Sequence, residues 1–198
     1  MIRISGGKHK RKYINTPYNY KTRPTSSRLR ESIFNILLHS KHLPVCFKDM
    51  EIIDIFAGSG ALGIEALSRG CKYCTFVDSS QEAVETIKKN IKRLNEEKNT
   101  NIIKANALKP IKIIKQYDLC FFDPPYDIQD FSDILDKWIK SNLVKKNTLY
   151  VYEKHKNTPL KLEKNIDIIE KKQQGISEII ILKKISCSSK KFFYICNT

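Results

Sequence analysis

No run in the chain approaches 18 apolar residues, so the sequence offers no bilayer-spanning helix. The first thirty residues are basic but lack an apolar core, so they are not expected to act as a secretory leader. Only seven glycines and seven prolines punctuate 198 residues, and no segment repeats, which excludes collagen-like and low-complexity classes. With 41% hydrophobic residues, a globular core is expected rather than a disordered chain. Cys71 and Cys74 have C-x-x-C spacing, but no second pair or His pair completes a zinc set, so no metal is expected. The six cysteines read as reduced thiols of a cytoplasmic protein.

The sharpest absence is of acid. Residues 1–30 hold Arg3, Lys8, Lys10, Arg11, Lys12, Lys21, Arg23, Arg28 and Arg30 and no carboxylate. That is +9 of a net +15, leaving +6 for the other 168 residues. Lysines spread along the whole chain fit a compositional habit. An arginine-rich segment without counter-charge points to a polyanion, with Lys8, Lys10, Arg11, Lys12, Arg23, Arg28 and Arg30 as the candidate contacts.

From Met50 onward, short β-branched runs alternate with helical patterns. The runs 51–55, 73–77, 101–103, 118–122 and 148–152 read as strands. The stretches 61–69, 80–94, 108–115 and 128–142 read as helices. Helical crossovers between buried strands give an open, doubly wound parallel sheet. Two further runs, 166–170 and 178–182, are separated by a polar stretch with Gly175 and read as an antiparallel edge pair. Upstream, Ser26 or Ser27 caps a helix to about Leu38, preceded by short extended pieces. Three parts follow: a basic extension and helix (1–45), the sheet domain (46–185) and a tail (186–198).

The stretch Asp54-Ile55-Phe56-Ala57-Gly58-Ser59-Gly60-Ala61-Leu62-Gly63 follows the first strand of the sheet and opens a helix. Its glycines let backbone approach a ligand at the carboxyl edge. Asp78 ends the next strand, where a carboxylate can take both hydroxyls of a ribose. Gly58, Gly60 and Gly63 satisfy the dinucleotide pattern G-x-G-x-x-G. Asp54 favours another ligand, because a negative charge beside the loop suits an ammonium or sulfonium and opposes a pyrophosphate. S-adenosylmethionine carries both cations and no phosphate.

Asp123-Pro124-Pro125-Tyr126 ends the fourth of these strands. Two prolines fix an exposed backbone there. The Asp123 carboxylate and the Pro124 carbonyl become fixed acceptors, and Tyr126 offers a flat face. This set suits a planar substrate with an NH2 group. Holding both N–H donors aims the nitrogen lone pair at the methyl donor.

These residues resemble the class I S-adenosylmethionine-dependent methyltransferases that act on amino groups, which carry (Asp/Asn/Ser)-Pro-Pro-(aromatic). A closer resemblance spans nearly the whole chain. Arg3–Lys8, Thr22–Thr25 with Arg28–Asn35, Phe56–Gly70 and Asp123–Tyr126 resemble the bacterial 16S rRNA guanine-N2 methyltransferases. The resemblance implies an α/β, Rossmann-like class I methyltransferase fold. Its seven-stranded, mostly parallel sheet would end in an antiparallel C-terminal edge pair, and a small β/helix extension would precede it. It implies S-adenosyl-L-methionine held by Asp54, Phe56, Ala57, Gly58, Ser59, Gly60 and Asp78, with Asn106 flanking the adenine. A helix-cap role for Asn106 stays open. Asp123, Pro124, Pro125 and Tyr126 would hold the guanine. The implied partner is 16S rRNA, in the small ribosomal subunit or its assembly intermediates; a monomer is the default expectation. Two rivals stay open: an amino-methyltransferase acting on adenine or on protein glutamine, and a catalytically silent RNA-binding assembly factor. Glu153, ending the fifth strand, reads as a surface residue or as a neighbour of the site.

Overall fold

The computed structural model describes residues 1–18, 26–42, 45–112, 115–125, 128, 131–141 and 143–184. Arg23, Tyr126 and the tail 186–198 lie outside the described residues.

The chain begins with a two-stranded antiparallel piece, β1 (Ile2–Arg3) and β2 (Tyr13–Ile14). Helix α1 (Ser27–His39) starts where expected, with the Ser26 hydroxyl accepting from the Leu29 N–H at 3.1 Å. The sheet then opens with β3 (Glu51–Ile55), followed by α2 (Ala61–Ser68), β4 (Tyr73–Asp78), α3 (Gln81–Leu94) and β5 (Thr100–Lys104). After these come β6 (Tyr117–Phe122), α4 (Phe131–Lys140), β7 (Val144–His155), β8 (Ile166–Gln174) and β9 (Ser177–Lys184).

Seven strands form one sheet in the order β5-β4-β3-β6-β7-β9-β8. The first five pair in parallel, and β9 pairs antiparallel with both β7 and β8. The expected C-terminal pair is therefore present, with β9 inserted between β7 and the edge strand β8. Gly175, at φ +64°, lets β8 turn straight into β9.

Pleating sends alternate residues to opposite faces, and both faces are apolar. Ile52, Phe76, Leu119, Phe121 and Val151 pack under α1, α2 and α3, together with Ile4 and Ile14 of the amino-terminal piece. Ile53, Ile55, Val77, Phe122, Tyr150 and Tyr152 pack under α4, around the wholly buried Trp138.

One expected helix is absent. Residues 107–109 form a turn, and no helix follows in the described part of 108–115. Pro110 explains this: it disfavours helical geometry at Lys109 and removes an N–H. The helix expected over 128–142 is shorter, at Phe131–Lys140.

Candidate active site

The strand order reverses between β3 and β6, and open α/β sheets hold ligands in the crevice above such a reversal. Three carboxylates meet there. Asp54 pairs with Phe121 across β3 and β6, Asp123 follows the last paired residue of β6, and Asp78 ends β4. Asp54 is buried, and its carboxylate accepts from the Gly63 N–H at 2.9 Å. Burial pushes its carboxyl well above the usual range, and the nearby Asp123 and Asp78 charges push the same way against the Gly63 bond. Asp78 is buried too. Its two oxygens accept from the Gly58 and Ser80 N–H groups, each at 2.8 Å.

The loop between β3 and α2 is shaped by left-handed residues: Phe56 (φ +66°), Gly58 (φ +55°) and Gly60 (φ +78°). The Ala57 N–H ties it to the Val77 carbonyl at 3.0 Å. Gly63 has a different task. A Cβ there would lie 2.3 Å from the Phe76 ring and 2.6 Å from the Cys74 sulfur, so it is the helix–strand contact that requires glycine. The loop is also braced from α3. The buried Asn90 amide donates to the Ser59 carbonyl at 3.1 Å and to the Asn15 carbonyl at 3.0 Å, while accepting from the Asn15 N–H at 2.8 Å. Three acids around this loop suit a cationic ligand and oppose a pyrophosphate. This donor set fits S-adenosylmethionine and not a dinucleotide.

On the acceptor side, Pro124 is buried and Pro125 is half-buried. They line a concavity with Ile128, Tyr152, Glu153 and His155. Glu153 is 4% exposed, which corrects its reading as a surface residue. Beneath lies a wall of rings: Phe131 stacks on Tyr152 at 4.4 Å and meets Phe56 at 6.1 Å. Asn106 is exposed just past β5, and its side chain accepts from the Leu108 N–H at 3.0 Å. It thus caps a turn, not a helix.

The structure divides the basic residues. Lys10, Arg11, Lys12 and Arg28 are exposed. Lys8 is exposed but bridges to Glu96 at 2.6 Å. Arg30 is 1% exposed, which corrects its expected contact with RNA. Its guanidinium donates to the Arg3 carbonyl at 2.7 Å and faces Glu65 at 3.6 Å. Burial lowers its pKa, opposed by Glu65.

The basic tip also sits away from the crevice. The Lys8 N–H donates to the Ser68 carbonyl at the end of α2, and His9 reaches Glu96 beyond the end of α3. Both points lie at the amino edge of the sheet. From there the segment climbs past Asn15, on Asn90, to Tyr18, whose N–H donates to Glu82 in the first turn of α3.

Two structural centres escaped the sequence reading. Glu65 accepts from the Ser5 N–H (2.9 Å), the Ser5 hydroxyl (2.7 Å) and Arg69 (2.9 Å), joining the extension to α2. The signal was available, since Glu65 is a lone acid in a helix otherwise apolar or small. Asn90 gave no such signal amid the polar face of α3. Cys71 and Cys74 are buried, and burial pushes the Cys71 thiol up to about 12 and the Cys74 thiol upward as well. Among the described residues, no group of three His, Cys, Asp or Glu side chains is arranged to hold a metal ion. Nor is any described helix long and apolar enough to cross a membrane.

The family model described as "Conserved hypothetical protein 95" matches residues 2–183. The "Ribosomal RNA small subunit methyltransferase D" of Buchnera aphidicola (from Acyrthosiphon pisum) is 36% identical over 183 residues, covering 89% of this chain and 83% of that protein. An "Uncharacterized methylase" of Rickettsia prowazekii is 30% identical, covering 92% and 98%. Among solved structures, the Escherichia coli protein named "Putative methyltransferase yhhF" superposes with a TM-score of 0.78 at 26% identity, covering 93% and 98%. The carboxylate crevice, the Asp-Pro-Pro turn and these matches agree: the chain belongs to the Conserved hypothetical protein 95 family, that of the bacterial small-subunit rRNA methyltransferases.

Proposed function

We propose that the chain transfers a methyl group from S-adenosyl-L-methionine to the exocyclic N2 amino group of a guanine in 16S rRNA. The observation that carries this reading is the meeting of Asp54, Asp78 and Asp123 at the sheet reversal, with Pro124 and Pro125 fixing the backbone beside them. Asp54 and the loop from Phe56 to Gly60 would hold the cationic end of the cofactor, and Asp78 would hold its ribose. Asn106 flanks the adenine. When bound, the cofactor would supply the methyl group of a sulfonium, with the neutral thioether as the leaving group.

The chain's own contribution is placement. The amino nitrogen of guanine is a poor nucleophile because its lone pair is delocalised into the ring. Asp123 and the Pro124 carbonyl take its two N–H groups, which turns the lone pair toward the donor. Asp123 stabilises positive charge developing on that nitrogen and receives the proton it sheds. The base leaves its stack to reach the crevice, at a cost of a few kcal/mol. Stacking on Tyr126 returns about 1–3 kcal/mol of that.

The exposed Lys10, Arg11 and Lys12 grip phosphates of the same RNA at a distance from the target base, with Arg28 and Arg23 as further phosphate contacts. Intact Asp78 and Asp123 favour an active enzyme over a silent assembly factor. The substrate is the rRNA within a small-subunit particle, met in the cytoplasm by a monomer.

Mass spectrometry of rRNA nucleosides with and without the enzyme tests both base and atom. N2-methylguanosine is the expected product. Asp123→Ala is expected to lower transfer by about 10²–10³-fold while cofactor binding is largely kept. Full transfer by that variant would refute the site, and a product other than N2-methylguanosine would refute the substrate.

A further inference from the structure

Glu153 is buried, lines the concavity on the acceptor side and has no part in the chemistry above. Its place follows from sheet register. Phe122 of β6 pairs with Tyr152 of β7, so Asp123 and Glu153 each lie one step beyond the same pair, on neighbouring strands. Glu153 also pairs with Ile179 of β9, which keeps its backbone inside the sheet while Asp123 already leaves it. The same concavity is lined by Pro124, Pro125 and Glu153. Its neighbour Lys154 is turned to other work. The Lys154 ammonium donates to the carbonyls of Thr158 (2.7 Å) and His155 (3.2 Å) and bridges to Glu178 at 2.8 Å.

A purine entering with its 2-amino group on Asp123 carries the N1 position alongside. Guanine presents N1–H there, a donor. Adenine and 2,6-diaminopurine present a bare N1, an acceptor. A carboxylate beside N1 accepts from the first and repels the second. Asp123 and Pro124 do not make this distinction, since they meet an amino group and any aminopurine has one.

We propose that Glu153 is the guanine-selecting residue, its carboxylate accepting the N1–H of the base whose 2-amino group Asp123 holds. The inference rests on the guanine reading above and adds to it the group that enforces it. Sites built to meet a substrate donor discriminate strongly, because the bare N1 of a mismatched analogue sets one acceptor against another.

The test uses small-subunit particles whose acceptor nucleotide is either guanine or 2,6-diaminopurine, with labelled cofactor. The wild-type chain is expected to favour guanine by about 10–100-fold in kcat/KM, the range for one hydrogen bond to a charged group. Glu153→Gln, whose amide both donates and accepts, is expected to bring that ratio toward one while cofactor affinity is unchanged. Glu153→Asp keeps the carboxylate and is expected to keep the preference at a reduced rate. A wild-type ratio near one would overturn the inference without any variant, as would Glu153→Gln retaining the wild-type ratio. Failure of the wild type to modify guanine at all would instead overturn the guanine reading itself.

Discussion

Replacing Asp54 with Asn removes a charge and keeps a shape, because an amide oxygen can still accept from the Gly63 N–H. The buried Asp54 carboxyl binds its proton more tightly in the folded chain than in the unfolded one. Its contribution to stability is therefore fully present below the unfolded pKa, near 4, and is lost as pH rises through the raised folded value. The Asp54→Asn chain has no such dependence. Within that window the difference between the two chains grows by up to about 1.4 kcal/mol per pH unit, the most one proton can give. At about 2–4 °C per kcal/mol for a domain of this size, their midpoints diverge by roughly 3–6 °C per pH unit, the variant being the more stable. Thermal unfolding of both ligand-free chains from pH 4 to 8 reads this directly. A bound cation favours the ionised form, so calorimetry in two buffers should show proton release by the wild type and none by the variant. The variant's affinity for S-adenosylmethionine should fall by about 10–100-fold, the loss of one charge-assisted contact. A midpoint difference that stays constant over the whole pH range would refute the reasoning, since Asp54 would then not change charge there.

Two further outcomes follow from the packing. Gly63→Ala should destabilise the chain by about 1–3 kcal/mol, because overpacking against Phe76 and Cys74 outweighs the gain of about 1 kcal/mol in helix propensity. Denaturant titration measures it, and an unchanged or raised stability would contradict the close contact. Neutralising Lys10, Arg11, Lys12 and Arg28 together should flatten the salt dependence of RNA binding, each lost phosphate contact lowering the logarithmic slope by about 0.7–0.9. Arg30, being buried, belongs to folding instead. Filter binding over a salt series checks the slope, and an unchanged value would mark the exposed cations as merely solvated.

Much of this was written in local sequence. The largely apolar runs at 51–55 and 118–122 gave strands because a strand covered on both faces buries successive apolar side chains. Ser26 and Ser80 marked helix starts because a hydroxyl there accepts from the N–H three residues on. Pro110 should have cancelled the helix over 108–115 on the same local grounds. What could not be read was partnership at long range. Arg30 and Arg28 stand two residues apart in one basic run, yet one is buried against Glu65 and the other is exposed. Helical rotation separates them, and only the docking of α1 on α2 decides which one faces inward. Glu153 was ambiguous for a similar reason: the last residues of a strand are solvent or pocket depending on what the neighbouring strand does beyond its end.

The block Arg3–Lys8, which carries part of the family resemblance, turns out to act first as a clasp. A Cβ on Gly7, at φ +75°, would lie 1.8 Å from the Ser68 carbonyl oxygen, so a side chain there would forbid the docking. The Ser5–Glu65 and Lys8–Ser68 bonds fasten the same stretch to α2. This clasp sets where the positive charge can act. It pins Lys10, Arg11 and Lys12 near the ends of α2 and α3, at the sheet edge opposite the carboxylate crevice. The fourteen residues of α3 alone rise about 21 Å between those edges. Any RNA that meets both the basic tip and Asp123 therefore spans at least that length, about as far as six stacked base pairs reach at roughly 3.4 Å each. A flipped nucleotide with its immediate neighbours cannot do so. Contact with both ends requires an RNA longer than the flipped nucleotide and its immediate neighbours, lying along the face of the enzyme.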